Sequence, residues 1–127
     1  MTKYLVIALG GAIGSTTRFL VGNLISSYIK SNYPWGTFFI NISGSFIIGF
    51  FLVLITERVP MDQHWRLAII VGFTGAYTTF STFEYEILYL LEKGKIMDAL
   101  LYITTSLITG LLAVWAGALL ARQVIVK

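Results

Sequence analysis

The stretch Gly72-Phe-Thr-Gly-Ala-Tyr-Thr-Thr-Phe-Ser-Thr-Phe83 lies in the middle of an apolar segment, residues 65–91, that is long enough to cross a membrane. It contains two glycines and five serine or threonine residues, which a helix facing only lipid does not need. Backbone that leaves the helix inside a bilayer is tolerated only where protein buries it or where it lines a cavity. The stretch therefore predicts an ion site at the ends of an interrupted helix. A continuous helix whose small residues pack against a neighbour stays an open alternative.

The composition of the whole chain is that of a membrane protein. The 127 residues are 57% hydrophobic and 12% charged, whereas soluble domains carry about 25% charged residues. The mean hydropathy is +0.81. The absence of cysteine excludes disulfides and thiolate metal sites. The net charge of +3 comes from basic residues scattered between apolar runs, a pattern that disfavours nucleic-acid binding.

Four apolar segments account for nearly the whole chain, near residues 4–29, 35–56, 65–91 and 97–121. Each exceeds the length of about 20 residues that a membrane span needs. The first apolar run breaks off at Leu9 and resumes after two glycines, unlike the h-region of a cleaved signal peptide. The connections are too short to hold a soluble domain. The sequence therefore predicts one all-α membrane domain over residues 1–127 with four transmembrane helices, the third interrupted at mid-membrane around residues 74–79.

Arg18 lies near the middle of the first segment, where a charged side chain costs roughly 2.5–3.5 kcal/mol on insertion scales. It should face a wet cavity or an acidic partner, and Glu84 and Glu86 are the candidate partners. A buried Arg–Glu pair and a vestibule cation that attracts anions both account for it, and the two are compatible. Gly10 and Gly14 form a G-x-x-x-G pattern, which favours close helix packing.

Asn41 brings an amide donor and an amide acceptor to hydrocarbon depth in the second segment. It shares a helix face with Ser45, which is four residues further on. Such a residue most often makes an interhelical hydrogen bond. The alternative is a donor offered to a passing ion, and the sequence leaves both possibilities open.

Phe80 and Phe83 share a face if the second half of the third segment is helical. Aromatic pairs at this spacing usually pack together, but hydroxyl residues flank this pair at Thr79, Ser81 and Thr82. Because aromatic rings have a positive edge, an anion can rest against them.

The fourth segment carries a row of hydroxyl residues on one face, namely Tyr102, Ser106 and Thr109. The row is either a polar track for an ion or a set of hydroxyls bonded to their own helix. His64, beside Asp62 in a connection, has no assigned role. The sequence contains no Ser/His/Asp triad, metal-ligand cluster or phosphate-binding loop, so it does not predict an enzyme.

Three stretches give the chain a resemblance to the Fluc family of bacterial fluoride channels. They are Gly10-Gly-Ala-Ile-Gly-Ser-Thr-Thr-Arg18, Gly36-Thr-Phe-Phe-Ile-Asn-Ile-Ser-Gly44 and, most specific of all, the stretch from Gly72 to Phe83. The resemblance covers essentially the whole chain. It implies a fluoride-selective channel of the bacterial inner (plasma) membrane, which exports fluoride down its gradient and lowers cytoplasmic fluoride.

The resemblance also implies an antiparallel, dual-topology homodimer with two separate pores and a structural sodium ion (Na+) at the dimer interface. By position, the sodium ligands are the backbone carbonyls of Gly75 and Thr78. The residues expected along the fluoride pore are Asn41, Phe80, Phe83, Ser81, Thr82, Tyr102 and Ser106, and those expected in the vestibule are Arg18 and Glu86. The family's polar track often continues with a serine where this chain has Gly110, which leaves the extent of the track open.

The chemistry of fluoride agrees with these residue types. Fluoride is small and strongly hydrated, so a pore must replace its water with close donors such as amides and hydroxyls. Conduction also requires binding that is weak enough to release the ion, which disfavours a full cation in the narrowest part.

Two other classes of protein fit the sequence less well. A small four-helix multidrug exporter depends on a membrane-buried glutamate in its first segment, where this chain has Arg18 instead. A non-transporting assembly or adaptor protein of the membrane has no need of the hydroxyl-rich, interrupted third segment.

Overall fold

A computed structural model describes residues 1–124, and all regular secondary structure in that range is helical, which confirms the all-α fold class. We label the helices α1 (Thr2–Tyr28), α2 (Trp35–Arg58, with π-helical turns over Leu54–Arg58), α3 (residues 63–77, with π-helical turns over Leu67–Thr74), α4 (Phe80–Glu92) and α5 (Ile96–Gln123).

Three of these helices, α1, α2 and α5, are long and apolar enough to span a membrane, and the chain is a multi-pass membrane protein. The third apolar segment differs from them because it is divided between α3 and α4. The sequence predicts an interruption around residues 74–79. Within this stretch the structure has extended backbone only at Thr78 and Thr79, and residues 75–77 are still helical.

Short connections with clear end signals join the helices. Asp62 caps α3, since its Oδ1 accepts a hydrogen bond of 2.8 Å from the His64 N–H, and this bond lowers the pKa of the Asp62 carboxyl. The turn between α4 and α5 places Gly94 at φ 70°, a conformation that glycine adopts without steric cost. These connections make successive spanning segments run back and forth across the bundle, with α3 and α4 together forming the third segment.

Glycines bring α1 and α3 into backbone contact. A Cβ atom added at Gly10 or Gly14 would collide with the carbonyls of Ala68 or Phe73, and one at Gly72 would collide with the carbonyl of Ile7. The G-x-x-x-G pattern of α1 therefore serves helix packing. The same kind of contact joins α2 to α5, where Gly49 and Gly117 allow the two backbones to approach.

A small core holds α4 against α5. Its buried members are Phe83, Leu90, Ala99 and Tyr102, with Tyr33 among the residues that cover them. At one end of the bundle, Arg122 pairs with both carboxylate oxygens of Glu57 at 3.1 Å, which ties α5 to α2. Many large apolar side chains of the spanning helices point outward, as a lipid-facing or partner-facing surface requires.

Candidate functional site

Two threonines form the break in the third segment. Thr78 has φ −75° and ψ 157°, and Thr79 has φ −148° and ψ 112°, so both lie in the extended region. Thr78 remains attached to α3, because its N–H and its hydroxyl donate to the Thr74 carbonyl at 3.1 and 3.0 Å. Thr79 instead begins α4, where its hydroxyl oxygen accepts the Thr82 N–H at 3.3 Å. The break is thus capped on both sides by the chain's own side chains.

Asn41 of α2 holds the break through both ends of its amide. Its Nδ2 donates to the Thr79 carbonyl at 3.0 Å, and its Oδ1 accepts the Thr79 N–H at 2.8 Å. The interhelical hydrogen bond that the sequence allows is therefore present, with backbone as its partner. Nδ2 carries two hydrogens and the Thr79 carbonyl accepts only one of them, so the other remains available to another ligand.

The break frees a set of backbone carbonyls at the end of α3. In a continuous helix the N–H groups of Thr79 and Thr82 would serve the carbonyls of Gly75 and Thr78. Here those N–H groups bond to Asn41 and to the Thr79 hydroxyl. Unwound carbonyls of this kind are the usual ligands for sodium in interrupted membrane helices, so the residues fit the ion that the resemblance implies.

Arg18 contacts the break rather than a glutamate. Its Nη1 donates a long hydrogen bond of 3.4 Å to the Thr78 carbonyl. Among residues 1–124 the ion pairs are His64–Asp62 and Arg122–Glu57, so the Arg–Glu pair considered from the sequence is not formed. Both Arg18 and Glu86 line one polar cleft of about 640 Å³, which is the environment expected for a vestibule cation.

Glu86 is engaged by two hydroxyl donors. Thr37 of α2 donates to its Oε1 at 2.7 Å, and Tyr102 of α5 donates to its Oε2 at 2.8 Å. Sequence reasoning missed Thr37, although it shares a face of α2 with Asn41, four residues further on. Glu84, the other candidate partner for Arg18, is exposed on α4.

A second cleft of about 420 Å³ collects most of the residues expected along the pore. Asn41, Phe80, Phe83 and Ser106 line it together with the freed end of α3, including Gly75 and Thr78. Thr79 lines both clefts, so the Asn41–Thr79 contact lies where the two meet. The remaining expected pore residues lie elsewhere: Thr82 lines the polar cleft, Ser81 is exposed and Tyr102 is fully buried beneath Glu86.

The two phenylalanines occupy different environments. Their ring centroids are 6.0 Å apart, but Phe83 is 7% exposed whereas Phe80 is 68% exposed. Phe83 packs edge-to-face on Tyr102, with the centroids 4.9 Å apart. Phe83 therefore belongs to the core as well as to the cleft, and Phe80 reaches out of the chain's own bundle.

The hydroxyl residues in the row on α5 also differ from one another in their environments. Thr109 donates to the Thr105 carbonyl of its own helix at 2.6 Å, which is the local bonding that the sequence left open. The Ser106 hydroxyl oxygen is buried and has no hydrogen-bond partner among the described residues. Buried hydroxyls are normally paired, so an unpaired one that lines a cleft is available to a ligand. Gly110 lines the same cleft, and a Cβ there would lie 3.7 Å from the Ser45 hydroxyl.

Comparison with known proteins finds relatives along nearly the whole chain. The family model for CrcB-like proteins, described as camphor resistance (CrcB), matches residues 5–118. The chain is 46% identical over 123 residues to a fluoride-specific ion channel FluC of Acidobacterium capsulatum, covering 97% of this chain and 98% of that one. It is 47% identical over 121 residues to the FluC of Solibacter usitatus, covering 95% and 99%. A FluC of a Sulfurihydrogenibium species is 42% identical over 123 residues, covering 97% and 99%.

Proposed function

The chain belongs to the CrcB-like protein family, and from that premise we propose that it is a fluoride-selective anion channel that exports fluoride down its gradient and lowers cytoplasmic fluoride. The relatives with which it aligns along nearly its whole length are called fluoride-specific ion channels. The family consists of ion channels and not of enzymes, and the resemblance read from the sequence is confirmed. We place the channel in the bacterial inner membrane.

The observation that carries the proposal is the buried Ser106 hydroxyl, which lines the smaller cleft without a partner. The free hydrogen of Asn41 Nδ2 is a second donor in that cleft, and Phe80 and Phe83 supply ring edges. A partly dehydrated anion needs this combination of donors and weakly positive surface. Within residues 1–124 no Lys or Arg side chain lines this cleft, so these residues offer no charge that would trap the ion.

The polar cleft supplies the approach to that site. Arg18 gives it a cationic side chain at a depth where isolated charges are rare, which attracts anions from the water. Glu86 has a charge of the wrong sign for this role, but Thr37 and Tyr102 donate to its two oxygens. These bonds satisfy the carboxylate and limit its repulsion of a passing anion. Fluoride then moves past the Asn41–Thr79 contact into the smaller cleft.

A second copy of the chain completes the pores in this proposal. A single four-helix bundle fills its own centre with side chains, and the smaller cleft is open on one side of it. Phe80, which would contribute a ring edge to the ion, is mostly exposed in the single chain. In an antiparallel, dual-topology homodimer, each chain would cover this surface of the other. The dimer would then contain two separate pores, one on each side of its axis.

The structural sodium ion belongs to the same assembly. The carbonyls of Gly75 and Thr78 would hold it, since both have lost their helical donors. When bound, such an ion supplies a central positive charge that draws carbonyl oxygens of two chains together. Gly75 suits this role because it is exposed and a Cβ there would meet only the Ile70 carbonyl, at 3.8 Å, so the backbone is open to a partner.

Fluoride efflux from liposomes tests the proposed activity directly. We expect purified protein reconstituted with a fluoride gradient to release fluoride rapidly and chloride only at the rate of protein-free vesicles. Equal release of both anions would contradict fluoride selectivity, and no release of either from a verified dimer would contradict the channel function. Ethidium efflux driven by a proton gradient distinguishes a multidrug exporter, which would transport that cation.

A further inference from the structure

Tyr77 is a buried residue next to the break that the proposed function does not use. It is the last residue of α3, it is 5% exposed, and its hydroxyl lies 2.9 Å from the Ser43 hydroxyl of α2. A tyrosine hydroxyl at hydrocarbon depth needs a partner, and this bond supplies one. The contact joins the last turn of α3 to α2.

The chemistry of Ser43 makes Tyr77 the donor of this bond. The Ser43 hydroxyl lies 2.7 Å from the Phe39 carbonyl and 3.1 Å from the Ile40 carbonyl, and it donates its one hydrogen to these oxygens of its own helix. Its lone pairs are then free to accept the Tyr77 O–H. Ser43 is thus held by its own helix and offers Tyr77 an acceptor in a set position.

Packing fixes the tyrosine ring as well as its hydroxyl. The ring stacks on Phe73 at 5.6 Å between centroids with the planes 9° apart. Gly44 of α2 approaches it so closely that an added Cβ would lie 3.3 Å from the Tyr77 ring and would collide with the Thr78 methyl group. Tyr77 therefore has little freedom to move away from α2 once the bond forms.

Residues on both sides of Thr78 are bonded to α2, Tyr77 through Ser43 and Thr79 through Asn41. Thr78 lies between these two attachments, and its carbonyl is one of the freed oxygens. We propose that the Tyr77–Ser43 hydrogen bond is a positioning element that sets the end of α3 so that its freed carbonyls can bind a monovalent cation. This inference rests on the sodium site of the proposed function and assigns to it two residues outside the ion's own ligands.

Tyr77→Phe tests the proposal because it removes the hydroxyl and keeps the ring stacked on Phe73. The measurement is thermal dissociation of the purified dimer at a series of sodium concentrations, with the ionic strength held constant by an organic cation. We expect the variant to need about two- to tenfold more sodium for half of its stabilisation, the factor that one hydrogen bond contributes. Tyr33→Phe is the matched control, since it removes a hydroxyl bonded to Thr105 at 2.7 Å, and its sodium midpoint should stay that of the wild type.

Variants of Ser43 keep the test decisive if Tyr77→Phe does not assemble. Ser43→Ala should raise the sodium midpoint, whereas Ser43→Thr, which keeps the hydroxyl, should have the wild-type midpoint. The sodium midpoint of the double variant Ser43→Ala/Tyr77→Phe should be no higher than that of either single variant. An unchanged midpoint in Tyr77→Phe or in Ser43→Ala, with a sodium-dependent wild type, would overturn the positioning role and leave the cation site intact. A wild-type dimer indifferent to sodium would overturn the site and this inference with it.

Discussion

At the scale of single residues, the unpaired Ser106 hydroxyl is the observation that favours the proposed conduction site over ordinary helix packing. An unsatisfied buried hydroxyl costs a folded protein about 1–3 kcal/mol, so a residue that serves only stability would not leave it unpaired. Thr109, one turn away, shows the alternative, because its hydroxyl is bonded to its own helix. The two positions can therefore be compared within one helix.

We expect Ser106→Ala to lower fluoride flux by about tenfold or more, since a hydrogen bond to a charged group is worth about 1.5–3 kcal/mol. The thermal stability of the dimer should not fall, because the wild-type hydroxyl has no hydrogen-bond partner among residues 1–124 of its own chain. The measurement combines fluoride efflux per reconstituted dimer with thermal dissociation in detergent. Thr109→Ala is the control and should leave flux near the wild-type rate. Loss of stability without loss of flux in Ser106→Ala would assign Ser106 to packing.

The phenylalanines give a second prediction at this scale. Phe80→Ile should lower fluoride flux by about two- to tenfold, as the loss of an aromatic contact of about 0.5–1.5 kcal/mol would. Assembly should persist, because isoleucine keeps an apolar side chain of similar bulk at this exposed position. Efflux is measured per dimer, and size-exclusion chromatography checks assembly. Normal flux in both Phe80→Ile and Phe83→Ile would remove the aromatic mechanism.

Phe83→Ile is the companion variant and combines two effects. Phe83 packs on Tyr102 in the core, so its substitution carries a cost of up to about 1.5 kcal/mol that Phe80→Ile avoids. If flux in either variant falls only in step with loss of the dimer, packing alone accounts for the pair. A flux defect in an assembled Phe80→Ile dimer supports a direct contact with the ion.

At the scale of elements, the break between α3 and α4 organises the site. Its two sides are fixed differently: α3 ends on glycine and threonine carbonyls that have lost their helical donors, and α4 begins with a threonine cap. Helix α2 contacts both sides through Asn41 and Gly44. Because the attachments on both sides come from the same helix, α2 holds the two sides of the break in place relative to each other.

Substitution at Gly75 tests whether this break forms the proposed cation site between two chains. Gly75→Val has room within the single chain, where the nearest atom to an added Cβ is the Ile70 carbonyl at 3.8 Å. We therefore expect the folded chain to survive and the dimer, with its sodium dependence and fluoride flux, to be lost. Circular dichroism measures whether the chain is folded, and size-exclusion chromatography measures whether the dimer forms.

Gly72→Val provides the contrasting case for that experiment. An added Cβ at Gly72 would lie 2.7 Å from the Ile7 carbonyl of α1, so this variant should fail as a folded chain. A Gly75→Val protein that keeps both its dimer and its flux would show that the cation site is misplaced.

At the scale of the whole molecule, the distribution of basic residues bears on orientation. One end of the bundle carries Lys3, Arg58, Arg66 and Arg122. The sequence assigns Lys127 to the same side, although this residue lies outside the described residues. The connections at the other end carry Lys30, Lys93 and Lys95. The contacts between Arg122 and residues 57–58 agree with this division, since they bring the ends of α5 and α2 together.

The bias of five against three is weak under the positive-inside rule, so we expect the chain to insert in both orientations. The chain contains no cysteine, so single variants such as Asn32→Cys and Pro60→Cys provide clean labelling sites in two connections at opposite ends. Each variant should be labelled from both sides of the membrane by an impermeant thiol reagent. Labelling of each site from one side only would exclude dual insertion and, with it, the antiparallel dimer.

The sequence alone determined the class of fold, the membrane setting and the family. These depend on local properties: runs of apolar residues long enough to span, and a stretch of glycines and threonines that resembles one family. It also predicted an interruption around residues 74–79 from the glycines and hydroxyl residues of that stretch, and the structure has extended backbone at Thr78 and Thr79.

Only the tertiary structure decided which groups meet. Arg18 reaches a backbone carbonyl instead of a glutamate, Asn41 divides its amide between the two sides of Thr79, and Phe80 and Phe83 separate into exposed and buried positions. The physical reason is that each partner depends on the rotation and separation of neighbouring helices, which glycine contacts between backbones determine. Residue spacing places side chains on one face of one helix, but it cannot say which oxygen of another helix that face will meet.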